Sequence, residues 1–281
     1  MRLVVHDDLR VGLLRGDQVV DVSDLCGADG SWPPVFLLRA IAGFDALRPG
    51  LEEALRTRAG QPLGEARLQA PVVFPTKVIA APVNYRLHIE EMRPLVQGEL
   101  HAIERYGVFL KEPSSIVGPG AVVELPFADR RTDHEVELGV VIGRTARNVA
   151  AADAMRHVFG YTAVMDITVR GDEDRSTRKS FDSFTPVGPA LVTADEIPDP
   201  HALGLRLWVN GEGRQDGNTR DMIWNVPRLI EYASHVMTLY PGDLFTTGTP
   251  AGVGPLRPGD EVTMEVDRIG RMSVRVELRK A

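Results

Sequence analysis

The sequence predicts a mixed β/α fold with a strand-rich core. Short runs rich in Val, Leu and Ile recur along the chain, whereas helical segments are fewer, and such runs between turn residues are typical of strands. Glycine–proline pairs separate several of the runs and mark turns. Many short strands joined by such turns favour a closed or rolled β core. The pairs are Gly118-Pro119, Gly188-Pro189 and Gly254-Pro255.

The first part of the chain is predicted to be a small N-terminal α/β domain. Val- and Leu-rich runs surround a turn there, and a helical segment follows. Proline and glycine then cluster between positions 62 and 75, which indicates a boundary between domains. We therefore divide the chain into residues 1–70 and 71–281. The predicted N-terminal elements are strands at 2–6 and 11–22 with a turn at Gly16-Asp17, and a helix at 51–58.

The main domain alternates predicted strands with a few helices. Its strands are expected at 78–81, 108–110, 135–142, 161–169, 203–209, 243–247 and 261–266. Its helices are expected from 88 onward, at 151–158 and at 226–236.

Composition restricts the class of protein. The chain has 281 residues, a formal net charge of -7 and 43% hydrophobic residues, which is ordinary for a globular protein. No apolar run approaches the roughly 20 residues that span a bilayer, and no secretory signal is visible at the N-terminus. The acidic balance argues against nucleic acid as the partner. The single cysteine, Cys26, precludes an internal disulfide, and we expect a reducing, cytoplasmic location.

Three carboxylates lie in apolar segments that are predicted to be strands. Side chains alternate faces along a strand, so Glu135 and Glu137 point the same way. Asp166 lies in a second apolar run, where a charge is costly unless it is neutralised. A divalent cation would neutralise all three, and oxygen ligands favour Mg²⁺, Mn²⁺ or Ca²⁺ over zinc. The alternative interpretation is a solvent-facing strand edge with ordinary glutamates.

The chain resembles the fumarylacetoacetate hydrolase superfamily, in its acylpyruvase and 2-hydroxyhepta-2,4-diene-1,7-dioate isomerase-like branch. The resemblance implies a β-sandwich roll that forms the catalytic domain, with a smaller N-terminal domain. It is carried by an ordered series of motifs across about two hundred residues. These motifs are 77–85 (KVIAAPVNY), 109–115 (FLKEPSS), 135–137 (EVE), 160–166, 178–182 (RKSFD), 188–189, 209–215, 241–243 (PGD) and 246–254 (TTGTPAGVG).

The resemblance assigns roles to individual residues. Glu135, Glu137 and Asp166 correspond to the ligands of magnesium or manganese, for which calcium would substitute. His88 corresponds to the general base, assisted by Glu91. Positions i and i+3 share one face of a helix, so Glu91 is placed to orient the imidazole. The alternative for His88 is a surface histidine on a polar helix.

Two lysines and four polar residues complete the expected site. Lys111 and Lys179 are candidates for electrostatic stabilisation or proton transfer, although each also suits an ordinary strand edge or loop. Arg170 suits either a substrate carboxylate or a structural salt bridge. The expected substrate contacts are Tyr85, Arg170, Gln215 and Thr249.

The sequence departs from the family pattern beside these residues. Leu87 replaces an aspartate before the base, and Met165 replaces an asparagine before the metal aspartate. Gly171 and Glu173 stand where aspartate and glutamine are common, and Arg178 replaces the glycine before Lys179. These departures leave the expected ligands intact and leave the identity of the substrate open.

The expected activity is hydrolysis of a carbon–carbon bond in a small 1,3-diketo acid, such as an acylpyruvate or fumarylacetoacetate-like compound. Metal stabilisation of an enolate would serve equally in an isomerase or decarboxylase of a related 2-keto acid. A non-catalytic ligand-binding relative is the alternative outside enzymes. We expect a homodimer that binds a small anionic keto acid, and no nucleic acid or membrane. Residues 93–106 hold few apolar anchors, so they are predicted to be a mobile lid.

Overall fold

The computed structural model describes residues 1–30, 32–95 and 99–280. Within these ranges strands dominate and helices are short. The strands are β1 (Arg2–His6), β2 (Arg10–Arg15), β3 (Gln18–Asp21), β4 (Gln61–Pro62), β5 (Leu68–Gln69), β6 (Val78–Ala80), β7 (Phe109–Lys111), β8 (Ile116–Val117), β9 (Val122–Leu125), β10 (Thr132–His134), β11 (Val136–Ile142), β12 (Val158–Met165), β13 (Thr168–Val169), β14 (Thr185–Thr193), β15 (Gly204–Val209), β16 (Glu212–Asn218), β17 (Leu244–Thr246), β18 (Gly254–Pro255), β19 (Glu261–Val266) and β20 (Gly270–Leu278). The helices are α1 (Phe36–Ala42), α2 (Phe44–Thr57), α3 (Arg86–Met92), α4 (Ile103–Tyr106), α5 (Ala151–Ala154), α6 (Arg175–Lys179) and α7 (Val226–Val236).

A large mixed sheet runs through the molecule. Its strand order is β4-β3-β2-β1-β14-β12-β11-β17-β6-β7, with β5 added on β1 and β8 on β14. The N-terminal strands extend the sheet of the main domain, because β1 pairs antiparallel with β14. The division of the chain at residue 70 stays a prediction.

A five-stranded sheet, in the order β16-β15-β19-β20-β9, packs against the large one. Alternate residues of β11 face the larger hydrophobic core, among them Leu138 and Val140. Val141, on the opposite face of the same strand, belongs to a second core formed with the N-terminal segment. Because both faces of β11 are buried, the strand that carries Glu137 is rigidly held.

Several predicted elements are confirmed, but some begin or end at residues other than those predicted from the sequence. The helix at 226–236 matches α7, which Asn225 caps by accepting a hydrogen bond from the Arg228 N–H. The predicted helix at 51–58 begins earlier, at Phe44, and α1 was missed. The predicted helix at 151–158 ends at Ala154, because a 3₁₀ turn follows and leads into β12.

The predicted strand at 161–169 is interrupted at Asp166. There the Asp166 N–H donates to the Glu135 carbonyl and the Ile167 N–H donates to the Phe184 carbonyl. The chain thereby leaves β12 and enters β13 in another sheet. Because of this break, the charged side chain of Asp166 lies just outside the apolar strand β12.

Asn84 fixes the loop between β6 and α3. Its Nδ2 donates to the carbonyls of Trp224, at 2.9 Å, and Thr247, at 2.8 Å. Its Oδ1 accepts from the Trp224 N–H at 2.7 Å. The side chain is fully buried, so these bonds set where α3 begins.

We therefore predict that Asn84→Ala lowers the free energy of unfolding by about 3 kcal/mol, because it leaves buried backbone groups unpaired. Urea denaturation measures this value. The control Arg86→Ala, at an exposed position two residues away, should change it by no more than about 0.5 kcal/mol. Equal effects of the two substitutions would contradict the interpretation.

Candidate active site

The three predicted metal ligands meet where β11 and β12 lie side by side. The strands are antiparallel and Val136 pairs with Met165, so Glu135 and Asp166 leave the ladder at the same end. The predicted strand at 135–142 begins one residue later, so Glu135 lies in the break between β10 and β11, and Glu137 is the second residue of β11. Ligand oxygens of the three residues lie within 4.8 Å of one another, and all three are buried.

Lys179 is a positive charge that contacts two of the three carboxylates. Its Nζ donates to Glu135 at 2.9 Å, to Asp166 at 2.6 Å and to the Thr168 hydroxyl at 2.6 Å. Burial lowers the pKa of Lys179, but Asp166 and Glu135 outweigh that effect and raise it. Lys179 is therefore a fixed cation that holds two of the three carboxylates.

Lys111 lies behind Asp166. Its Nζ donates to the Asp166 carboxylate at 2.5 Å and to the Phe184 carbonyl at 3.0 Å. Burial lowers the pKa of Lys111, against the opposing effect of Asp166. Its direct contacts place it as an electrostatic support for Asp166.

Glu137 lacks such compensation. Its carboxylate accepts a hydrogen bond from the Gly248 N–H at 2.7 Å. Burial and then Asp166 raise the pKa of Glu137 to about 8. In contrast, burial of Glu135 is outweighed by Lys179 and Arg170, which hold its pKa well below the usual range. Three hard oxygen donors, of which Glu137 has no basic partner among the described residues, fit a divalent cation of the Mg²⁺ or Mn²⁺ type.

The predicted dyad lies close to the three carboxylates, and His88 lines the same cavity as they do. His88 is buried on α3, and its Nδ1 lies 3.2 Å from Glu91 Oε2. Glu91 Oε1 accepts from the Gly252 N–H at 2.9 Å. Burial raises the pKa of Glu91, but the hydrogen bonds from His88 and Gly252 lower it overall. The ionised Glu91 therefore accepts a hydrogen bond from Nδ1–H, which leaves Nε2 as the basic atom.

Gly252 is required by the backbone at this point. Its φ is +101°, and a Cβ there would lie 2.1 Å from the Arg214 carbonyl oxygen. A larger residue would displace the 248–253 loop, which supports both Glu137 and Glu91.

A cavity of about 410 Å³ opens onto these groups, which is within the range of small-ligand sites. Sequence reasoning missed three arginines on its wall, Arg131, Arg175 and Arg178. The density of arginine between positions 170 and 178 was the available signal. Of the predicted residues, the wall includes His88, Glu135, Glu137, Asp166, Lys179 and Thr249, together with Arg170.

Arg170 makes structural salt bridges, the second interpretation given from the sequence, and its contact with a substrate stays a prediction. Its Nε donates to Asp133 at 2.7 Å, and its terminal nitrogen donates to Glu135 at 2.9 Å. Asp133 and Glu135 raise the pKa of Arg170 against the effect of burial. Arg170 thus orients a predicted metal ligand while it lines the cavity.

Gln215 and Tyr85 lie behind the cavity wall. The Gln215 amide oxygen accepts from the Val136 N–H at 3.0 Å, and its Nε2 donates to the Thr249 hydroxyl at 2.7 Å. Tyr85 is buried, and its hydroxyl has no hydrogen-bond partner among the residues that the structure describes. Substrate contact by either residue stays a prediction. Gln215 clearly joins the Thr249 loop to β11.

The predicted lid at 93–106 is described only in part. Residues 96–98, which include Gly98, lie outside the described residues. Ile103 is fully buried in the main core, and Leu100 and Tyr106 line the cavity. Ile103 is an apolar anchor that the prediction overlooked, and motion of the segment stays a prediction.

A family comparison bears directly on this site. The model of the "Fumarylacetoacetate (FAA) hydrolase C-terminal" family matches residues 77–277. The chain belongs to the fumarylacetoacetate hydrolase family. This confirms the family predicted from the motifs, and related structures confirm the mixed β/α fold.

Similar proteins cover the whole chain. Maleylpyruvate hydrolase of Aquipseudomonas alcaligenes is 43% identical over 284 residues, with 98% of this chain and 99% of that protein covered. The crystal structure of maleylpyruvate hydrolase from Sphingobium sp. SYK-6, in complex with manganese(II) and pyruvate, is 42% identical and has a TM-score of 0.90, with 100% of each chain covered. The mitochondrial oxaloacetate tautomerase FAHD2A of Homo sapiens is 41% identical over 237 residues, covering 78% of this chain and 74% of that protein.

We predict that Glu137→Ala abolishes Mn²⁺ binding and leaves the fold largely intact, because it removes one of three ligands and a buried carboxyl group that has no basic partner in the part of the chain that the structure describes. Calorimetric titration measures the affinity. In the wild type, Mn²⁺ should also raise the melting temperature, since a ligand of the folded state stabilises it.

The matched control for this prediction is Glu124→Gln, which alters an exposed carboxylate on β9. It should bind Mn²⁺ as the wild type does. Unchanged affinity in Glu137→Ala would show that the cation is held elsewhere.

Proposed function

We propose that this enzyme is a divalent-metal-dependent hydrolase that cleaves a carbon–carbon bond in a small 1,3-diketo acid of the acylpyruvate type. The observation that carries the proposal is the meeting of the buried triad Glu135, Glu137 and Asp166 with the His88–Glu91 dyad at one cavity. The similarity to maleylpyruvate hydrolases over the full chain supports the same activity.

Glu135, Glu137 and Asp166 would hold the metal ion. Manganese is supported by the related structure with manganese(II), and magnesium and calcium are proposed from the same oxygen ligands. The bound ion would supply a Lewis acid for the adjacent oxygens of a 2-keto acid. Lys179 and Arg170 keep Glu135 oriented toward the shared centre.

His88 would act as the general base. Its Nδ1–H donates to Glu91, so Nε2 is free to take a proton from water. Glu91 stabilises the resulting imidazolium, because its carboxylate is held by Gly252 and carries the opposite charge. The proton therefore moves from water to Nε2, while the hydroxide adds to the distal keto carbon of the substrate.

Bond cleavage completes the reaction. The bond between the attacked carbon and the neighbouring CH₂ breaks, and its electron pair passes to the CH₂ carbon. The proton on His88 Nε2 is available to that carbon, which becomes a methyl group. One water is consumed, and the products are a carboxylic acid and a pyruvate-type acid.

A keto–enol isomerase is the second candidate. It is favoured by the similarity to oxaloacetate tautomerase and by a dyad that moves protons without requiring water. A decarboxylase would need the same metal centre. A non-catalytic ligand-binding relative is less well supported, because both members of the dyad are in hydrogen-bonding contact.

Location and assembly are further proposals. No helix in the described ranges is long and apolar enough to cross a membrane. We retain a cytoplasmic location and a homodimer, with no nucleic-acid or membrane partner. Leu87 on α3 and Leu110 on the edge strand β7 are exposed and offer apolar surface to a second copy.

The function is tested with a panel of acylpyruvates, maleylpyruvate and oxaloacetate in the presence of Mn²⁺ or Mg²⁺. We expect a 1,3-diketo acid to yield equal amounts of a carboxylic acid and pyruvate, measured by NMR. Turnover of oxaloacetate tautomers with no cleavage of any diketo acid would favour the isomerase. Absence of all turnover would contradict both enzyme candidates.

We predict that His88→Ala lowers the turnover number by roughly 10²–10⁴-fold, the usual contribution of a general base. Mn²⁺ affinity should be nearly unchanged, because His88 is not one of the three carboxylate ligands. Steady-state kinetics and calorimetry check the two statements. The control is Glu90→Gln, at an exposed position on the same helix, which should keep wild-type turnover. Wild-type turnover in His88→Ala would assign water activation to another residue.

A further inference from the structure

Arg178 is the least satisfied cation on the cavity wall. It lies on α6, directly before Lys179, and lines the cavity. Its Nε is buried and has no hydrogen-bond partner among the residues that the structure describes. A guanidinium group carries five N–H donors, and burying such donors without acceptors is costly.

The neighbouring arginines are all engaged. Arg131 donates to Asp133 at 2.7 Å. Arg170 holds Asp133 and Glu135. The guanidinium carbon of Arg175 lies 4.0 Å from the centre of the Tyr106 ring, which is a cation–π contact.

Among the described residues no carboxylate makes an ion pair with Arg178, although Asp172 also lines the cavity, and three of the nearby carboxylates are engaged elsewhere. Glu173 lies on the loop before α6. Its two carboxylate oxygens each accept a hydrogen bond from a terminal nitrogen of Arg130 at 2.7 Å. Glu135 and Asp166 accept hydrogen bonds from Lys179. Burial, followed by the positive charges of Arg170 and Arg175, lowers the pKa of Arg178, so a bound anion would offset effects that oppose its charge. Its surroundings therefore favour an incoming anion.

The residue type is also informative. Arg178 brings a guanidinium group to the cavity wall. Arginine binds carboxylates with two parallel hydrogen bonds, a geometry that lysine cannot reproduce. The carboxylates that would hold the metal lie on the same wall, so a keto acid bound there would extend its other end into the cavity.

We infer that Arg178 binds a second carboxylate at the distal end of the substrate and so selects dicarboxylic keto acids over those with neutral tails. The inference rests on the proposed function, because it takes the 2-keto acid end of the substrate to be at the carboxylate triad. Arg178 is thus a specificity-determining residue, and it takes no part in the proton transfers.

The test uses non-cleavable ligands that differ in one group. 2-Oxoadipate and 2-oxohexanoate have the same chain length, and the first alone carries a distal carboxylate. Calorimetry with the Mn²⁺-loaded protein should show that the wild type prefers 2-oxoadipate. Arg178→Gln should weaken 2-oxoadipate binding by about 10–100-fold, the effect of losing hydrogen bonds to a charged group, and should leave 2-oxohexanoate binding unchanged.

Two further variants make the result specific. Arg178→Lys keeps the positive charge without the planar guanidinium group, so it should lose part of the preference for 2-oxoadipate. If Arg178→Gln does not fold, Arg178→Lys provides the test. Arg147→Gln removes an exposed positive charge outside the cavity wall and should bind both ligands as the wild type does.

The inference is overturned by a wild type without preference for 2-oxoadipate. It is equally overturned if the Arg178 variants bind 2-oxoadipate normally or lose both ligands to the same extent. Failure to hydrolyse any 1,3-diketo acid would contradict the proposed function alone, because the binding comparison does not depend on turnover.

Discussion

The site depends on three buried carboxylates that lie close together where the chain breaks from its strands. Desolvation of each charge costs several kcal/mol unless it is compensated, and like charges at this separation oppose one another. Lys179, Lys111 and Arg170 compensate Glu135 and Asp166 by direct contact, and Glu137 is left with a pKa raised to about 8 by burial and Asp166. A divalent cation bound by the three carboxylates would compensate Glu137 as well. The double-sided burial of β11 is what keeps the carboxylates together against their repulsion, because neither face of the strand can move toward solvent.

One loop joins the proposed metal centre to the proposed base. In the segment 248–253, the Gly248 N–H holds Glu137 and the Gly252 N–H holds Glu91. Thr249 lies between them, and its hydroxyl donates to the Val136 carbonyl and accepts from Gln215. Displacement of this loop would therefore move a metal ligand and the partner of His88 together. That explains why polar residues behind the cavity, such as Gln215, matter for the geometry even though they do not line it.

The parts of the site that follow from local periodicity were predictable from the sequence. Glu135 and Glu137 were expected on one face because strands alternate with period 2, and their oxygens do come together although Glu135 lies just before β11. His88 meets Glu91 because helices repeat after three to four residues. Long-range pairing was not predictable in this way: β1 joins β14 only because the tertiary fold brings distant segments together. The environment of Arg178 was also beyond sequence reasoning, since it depends on which acids Arg130 and Lys179 already occupy. Its glycine-to-arginine departure was visible, but the consequence was not.

The proposed function gives the two ends of the cavity different selectivity. A metal centre built from carboxylates recognises adjacent oxygens, a feature that all 2-keto acids share, so it cannot by itself distinguish their tails. Discrimination must come from groups farther along the wall, where the arginines lie. Because Arg178 is adjacent in sequence to Lys179, and Lys179 contacts both Glu135 and Asp166, an anion held by Arg178 would also restrain α6 and with it the counter-charge of the metal centre. Recognition of the tail and electrostatic support of the reacting end are thus carried by neighbouring residues of one short helix.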